Sequence, residues 1–151
     1  MLYLIKKQEG FKAMELYVRN TTELANLLRD YGITATLQRV EIAGILLSKK
    51  QHLSAEQVMG KVNQGRSIVS KATVYNTLRL FAKKGLVKEV IADPTKIFYE
   101  PKTESHHHFY NVDTGELTDF NADLQMADII PDAPEGMLVK GVDVTIRVGA
   151  A

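Results

Sequence analysis

Up to Gly85 the apolar positions of the chain recur every third or fourth residue, and beyond it every second. A helix buries a stripe and a strand buries one face, so this change of period marks a change of element. Four helices are predicted first. Leu24, Leu27, Leu28 and Tyr31 share one face of a helix that Thr21 or Thr22 can cap and Gly32 can end. Thr36 caps a second, running to about Ser48 with Leu37, Val40 and Leu47 turned inward. Ser54-Ala55-Glu56-Gln57 has the form of a capping box, in which Gln57 reaches back to the Ser54 amide while the Ser54 hydroxyl bonds forward. That third helix is expected to end at Gly65. Ser70 opens the fourth, and Gly85 closes it where a left-handed backbone is least strained without a side chain.

Residues 86–91 and 96–100 then read as strands joined by the turn Ala92-Asp93-Pro94-Thr95. Helices followed by one hairpin is the order of a winged helix-turn-helix, whose last helix enters the DNA major groove while the hairpin flanks it. A second alternation begins at His106. It sends His106, His108 and Tyr110 to one side and His107, Phe109 and Asn111 to the other. Asp113-Thr114-Gly115 is a turn leading into a strand over 116–120, and residues 142–148 alternate with apolar side chains at the even positions. The fold class is therefore α+β. A winged helix-turn-helix at 1–100 is followed at 101–151 by a small α/β dimerisation domain with an antiparallel sheet.

Charge follows the same division. Residues 1–100 hold 16 Lys and Arg against 9 Asp and Glu, a balance of +7, while 101–151 hold 3 against 9, a balance of −6. The sum is the net +1 of the 151-residue chain. Such a split fits a basic module facing a polyanion joined to an acidic module with another task, though an uneven solvated surface would give it too. None of the four prolines precedes Pro94, and residues 101–105 are the best linker. The chain has no cysteine, which excludes disulfides, thiol nucleophiles and thiolate metal sites and leaves His, Asp and Glu as metal ligands. No apolar run approaches 18 residues, and residues 1–5 precede Lys6 and Lys7 instead of following them, so no membrane span or signal segment is expected and the cytoplasm is the default compartment.

Two groups of residues carry chemistry. On the fourth helix Val74, Leu78 and Phe81 cluster on one side, with Tyr75, Asn76, Arg79 and Lys83 on the other. The second set suits base edges and phosphates, although a solvated basic face would look alike. On the strand, the His-x-His pair His106 and His108 can present two imidazoles to one ion, and Asp119 on the next strand can add an oxygen. Nitrogen and carboxylate together suit Fe(II), Mn(II) or Zn(II). An exposed triple histidine can also be a fortuitous metal binder.

The run from Ser70 to Val87, with Tyr31-Gly32-Ile33-Thr34-Ala35-Thr36-Leu37-Gln38-Arg39 and His52-Leu53-Ser54-Ala55-Glu56 before it, closely resembles the ferric uptake regulator family over roughly residues 24–120. Asn76 departs from the arginine many members carry there. The resemblance implies a homodimeric, metal-responsive repressor, not an enzyme, that binds a double-stranded DNA operator through Arg39, Lys71, Thr73, Tyr75, Asn76, Arg79 and Lys83. It further implies a regulatory metal held by His52, Glu100, His106, His108 and Asp119. Many members carry a Cys-x-x-Cys pair for structural zinc where this chain has Asn111 and Thr114, so no four-cysteine zinc is expected. The tail over 130–148 and the His106-His107-His108 run resemble the iron response regulator branch, whose members are linked to haem, which makes these three histidines possible haem ligands. The competing reading is a small metal-dependent hydrolase built on the same three histidines.

Overall fold

In a computed structural model, which describes residues 20–64, 69–101, 104, 106–120 and 129–151, the first helix α1 (Thr21–Asp30) starts from Asn20. The Asn20 Oδ1 accepts from the Glu23 amide at 2.8 Å, so Asn20 is the cap in place of the expected Thr21 or Thr22. Residues 1–19, the helix end expected at Gly65 and most of the linker expected at 101–105 lie outside the described residues. Helix α2 (Leu37–Leu46) is capped by Thr36 as expected, but stops at Leu46, two residues short of Ser48. Leu37, expected inward, is 66% exposed, because the buried arc of α2 is centred on Ala43 and Leu46, well round the helix from it. The capping box at Ser54 is complete, with both reciprocal bonds to Gln57, and opens α3 (Ala55–Val62).

Asn63 caps α3 and then holds the approach to the next helix. Its side-chain oxygen accepts from the Val69 amide at 2.7 Å and its NH2 donates to the Val69 carbonyl at 3.2 Å, as a neighbouring strand would. Helix α4 (Lys71–Lys83) follows, capped by Ser70. It ends in a Schellman motif: Gly85, at φ 76°, donates to Ala82 and Leu86 donates to Phe81. Leu86 and Val87 are buried but lie before the strand β2 (Lys88–Asp93), which starts two residues later than its periodicity suggests.

Strand β2 pairs antiparallel with β3 (Lys96–Glu100), and β3 pairs on its other edge with a two-residue strand, β1 (Leu53–Ser54), that the sequence does not announce. Leu28, Ile42, Leu46, Val58, Val74, Leu78 and Phe81 form the core, and Tyr99 of β3 joins it. Burial there, reinforced by the Glu89 carboxylate, pushes the Tyr99 phenol up to about 12.

The chain divides into two compact units between Thr103 and Glu104. The second holds a sheet in the order β5-β4-β6, formed by β4 (His107–Asn111), β5 (Leu117–Phe120) and β6 (Thr145–Val148). The β4–β5 pair is antiparallel as expected, whereas β6 runs parallel to β4, so the sheet is mixed. A long return segment permits a parallel crossover where a tight turn permits only a hairpin. The α+β class and the winged-helix order agree with the sequence reading. No helix among the described residues is long and apolar enough to cross a membrane.

Candidate metal centre and basic helix

In the first unit, the register Leu53↔Tyr99 of the short β1–β3 pairing sets His52 opposite Glu100. Their side chains meet, His52 Nε2 lying 2.7 Å from Glu100 Oε2. Glu100 is only 2% exposed, and a carboxylate so far from water needs an imidazole or a cation beside it. Chain periodicity gives no hint of this pair, since it depends on a strand of two residues.

In the second unit, the alternation of β4 has the consequence read from the sequence. His106, His108 and Tyr110 are buried, while His107, Phe109 and Asn111 are half-buried. The pairing His108↔Asp119 brings the acid of β5 directly across from the second histidine. Asp119 Oδ1 lies 3.3 Å from Nε2 of both His106 and His108, and the two rings meet edge to face with centroids 4.5 Å apart. His106 Nδ1 is 2.7 Å from the Glu104 carbonyl. Such a bond turns Nε2 toward Asp119 and sets the tautomer that a metal-binding imidazole needs. The potential ligand atoms of His106, His108 and Asp119 lie within 4.8 Å of one another. Two imidazoles and a carboxylate at that spacing suit a borderline divalent cation.

His107 is used differently. Its Nδ1 accepts from the Val144 amide at 3.3 Å, and its ring packs against Phe120. With the His108 amide donating to the Val144 carbonyl at 3.0 Å, it fastens the approach to β6. Where the resemblance puts the first structural thiolate, Asn111 closes the turn itself. Its Oδ1 accepts from the Asp113 and Thr114 amides, and its carbonyl from Gly115. With no cysteine in the chain, a thiolate zinc cannot form.

On α4 the core side is Val74, Thr77, Leu78 and Phe81. Lys71, Asn76, Arg79 and Lys83 are exposed, and Tyr75 and Thr73 half-buried. The Thr73 hydroxyl is bonded to that of Ser70, within the helix cap. Half-buried Arg39 donates to the Thr34 carbonyl at 3.0 Å, at the start of its own helix. Lys71 Nζ stands 5.6 Å from the centre of the Tyr75 ring, and the Tyr75 hydroxyl donates to Glu56 on α3. Sequence reading assigns Glu56 only to a helix start.

Among curated proteins the chain is similar to the peroxide-responsive repressor PerR of Staphylococcus aureus, 32% identical over 93 residues. That match takes in 62% of this chain, which spans 63% of the relative's length. Among solved structures it is similar to the ferric uptake regulator of Vibrio cholerae, at 26% identity and a TM-score of 0.70, covering 83% of this chain and 98% of that one. The ferric uptake regulator of Pseudomonas aeruginosa, solved with manganese, is 29% identical with a TM-score of 0.65, covering 83% and 96%. The model of the ferric uptake regulator family matches residues 30–147, a span that takes in His52, Glu100, His106, His108, Asp119 and the basic helix α4, and the chain belongs to that family.

Proposed function

We propose that this protein is a metal-responsive, sequence-specific transcriptional repressor that acts in the cytoplasm as a homodimer. The observation that carries the reading is the cluster of His106, His108 and Asp119 in a chain that also has a basic, core-supported helix. Two imidazoles and one carboxylate fill only part of the coordination sphere of a divalent ion. His52 and Glu100 form a second, buried nitrogen–oxygen pair, and the proposal is that both groups serve one regulatory ion of Fe, Mn or Zn. Bound by both units, the ion would fix the angle between them and so favour the spacing of two recognition helices that the operator requires. The Pseudomonas relative solved with manganese supports the choice of ion.

Operator contact falls to Tyr75, Asn76 and Arg79, with Lys71 and Lys83 nearer the phosphates and Thr73 and Arg39 at the rim. The absence of cysteine and the His106-His107-His108 run support the iron response branch within the family. Haem is the weaker alternative ligand. One ring cannot reach His106 and His108 on one face of β4 together with His107 on the other, so a divalent ion accounts for more of the geometry. A hydrolase would leave the basic helix without a task and finds no support in the family.

The homodimer reading rests on the second unit. Ile146 and Val148 on β6 are 40% and 37% exposed, and Met137 and Leu138 nearby in sequence are more exposed still. A three-stranded sheet with an uncovered apolar face calls for a partner. Sedimentation at micromolar concentration is expected to give a dimer that Ile146→Asp converts to monomer; a wild-type monomer would contradict it.

The central test is operator binding against metal. With a duplex selected from a randomised pool by the Mn(II)-loaded protein, Tyr75→Ala is expected to lower the preference for that duplex over random sequence. Lys83→Ala is expected to weaken both equally and flatten the salt dependence by about one unit. No change from Tyr75→Ala in either affinity would remove the DNA-reading role of α4, and affinity indifferent to Mn(II) would remove the metal response.

A further inference from the structure

We propose that Glu56 is a specificity-determining residue, positioning the Tyr75 ring of α4 for operator recognition through the hydrogen bond between their side chains. The inference rests on the DNA-reading role of α4 proposed above, and it concerns a residue on a different helix that carries the wrong charge for contacting DNA.

Three observations converge on it. The Tyr75 hydroxyl donates to Glu56 Oε1 across 19 residues of sequence, so the bond is tertiary and not a by-product of helix geometry. Glu56 stands in the first turn of α3, and its backbone is fixed by the completed Ser54–Gln57 capping box. The anchor is therefore rigid. The Tyr75 ring is gripped from two further sides, packing partly against the core and lying 5.6 Å from Lys71 Nζ. The bond to Glu56 also holds the Tyr75 phenol above its ordinary range and the Glu56 carboxyl below the usual carboxylate range.

Two consequences follow for recognition. A tyrosine whose ring and hydroxyl are both set before docking loses little rotamer freedom on docking, so its contact with a base counts more fully toward affinity. With the hydroxyl donating to Glu56, what α4 offers DNA is the ring itself, an apolar surface suited to a thymine methyl. The carboxylate has a second effect. Placed beside a basic helix face, it repels phosphate whatever the base sequence, which lowers binding to operator and random DNA alike. The first effect widens the gap between operator and random sequence, and the second moves both affinities together.

The two effects separate by substitution in the full-length, Mn(II)-loaded protein, using the selected duplex and a random duplex of equal length. Glu56→Ala removes bond and charge, and is expected to narrow the operator-to-random ratio by about three- to tenfold, the scale of rotamer freedom restored to one side chain. Glu56→Gln keeps an acceptor for the hydroxyl and is expected to restore most of the tyrosine contribution to the ratio, while binding both duplexes more tightly than wild type. Tyr75→Phe removes only the hydroxyl and should match Glu56→Ala in the bond-dependent part of the loss. Combining Tyr75→Phe with Glu56→Ala should then narrow the ratio no further than Glu56→Ala alone. Thermal unfolding of each variant confirms the fold, and Tyr75→Phe keeps the test valid should Glu56→Ala unfold. An unchanged ratio in Glu56→Ala, an equal fall in Glu56→Gln, or additive losses in the double variant overturns the proposal. If Tyr75→Ala also leaves the ratio unchanged, the DNA-reading role of α4 fails with it. If Tyr75→Ala narrows the ratio while Glu56→Ala does not, only the role of Glu56 fails.

Discussion

His108→Ala lowers the affinity for Mn(II) by at least about a hundredfold, while His107→Ala changes it by less than about threefold. Losing even an outer partner of a metal ligand costs roughly 10- to 100-fold, and His108 is proposed as a ligand itself. The contrast between neighbours comes from the pleat of β4. His108 is 2% exposed and aims Nε2 at Asp119, on the side His106 shares. His107 faces the other way, and its Nδ1 is taken by the Val144 amide. Its loss should appear instead as a stability decrease of about 1 kcal/mol, the ordinary worth of one hydrogen bond. Calorimetric titration with Mn(II) under reducing, anaerobic conditions gives the first quantity, and urea unfolding the second. Equal losses of affinity at the two positions would show that the strand face has no bearing on the site.

Phe81→Ala destabilises the first unit by about 3–5 kcal/mol, a large share of the roughly 5–15 kcal/mol that holds a domain of ordinary size. Phe81 is fully buried in one core cluster with Val74 and Leu78, and truncation leaves a cavity that the surrounding core cannot fill without moving. Its carbonyl also receives the Leu86 amide in the motif ending α4, so the loss of packing acts where the helix hands over to the hairpin. DNA affinity should fall with stability although Phe81 lies on the side of α4 away from the exposed cations. Urea unfolding followed by circular dichroism measures the first change. A loss below about 1 kcal/mol would mean that the α4 core is not what fixes the helix.

Helix starts were the most legible part of the chain, because a cap is a bond between residues three apart and needs nothing from the rest of the molecule. Thr36, Ser54 and Ser70 all cap as their sequences suggest. The exception, Asn20 in place of Thr21, is a shift of one residue between equally competent side chains. The strand faces of β4 were legible for the same local reason. A period of two decides which histidines lie together, and His106 and His108 do.

Side-chain pairs distant in sequence were another matter. The sequence could name His52 and Glu100 through family resemblance, but the chain's own pattern contains nothing that joins them, since β1 is two residues long and too short to show a period. Only the pairing of Leu53 with Tyr99 sets the histidine opposite the acid. Glu56 was visible as a helix-start residue and Tyr75 as a helix-face residue, and their bond exists only because α3 and α4 pack together. Leu37 turned outward because the packing of α2 centres its buried arc on Ala43 and Leu46, and an apolar helix with several possible faces does not say which of them meets the core. The direction of β6 was likewise undetermined: alternation is identical in parallel and antiparallel strands, and the path of the chain between them decides which forms. Local bonds and periods are written residue by residue, whereas register, direction and reach depend on which surfaces meet when the chain closes on itself.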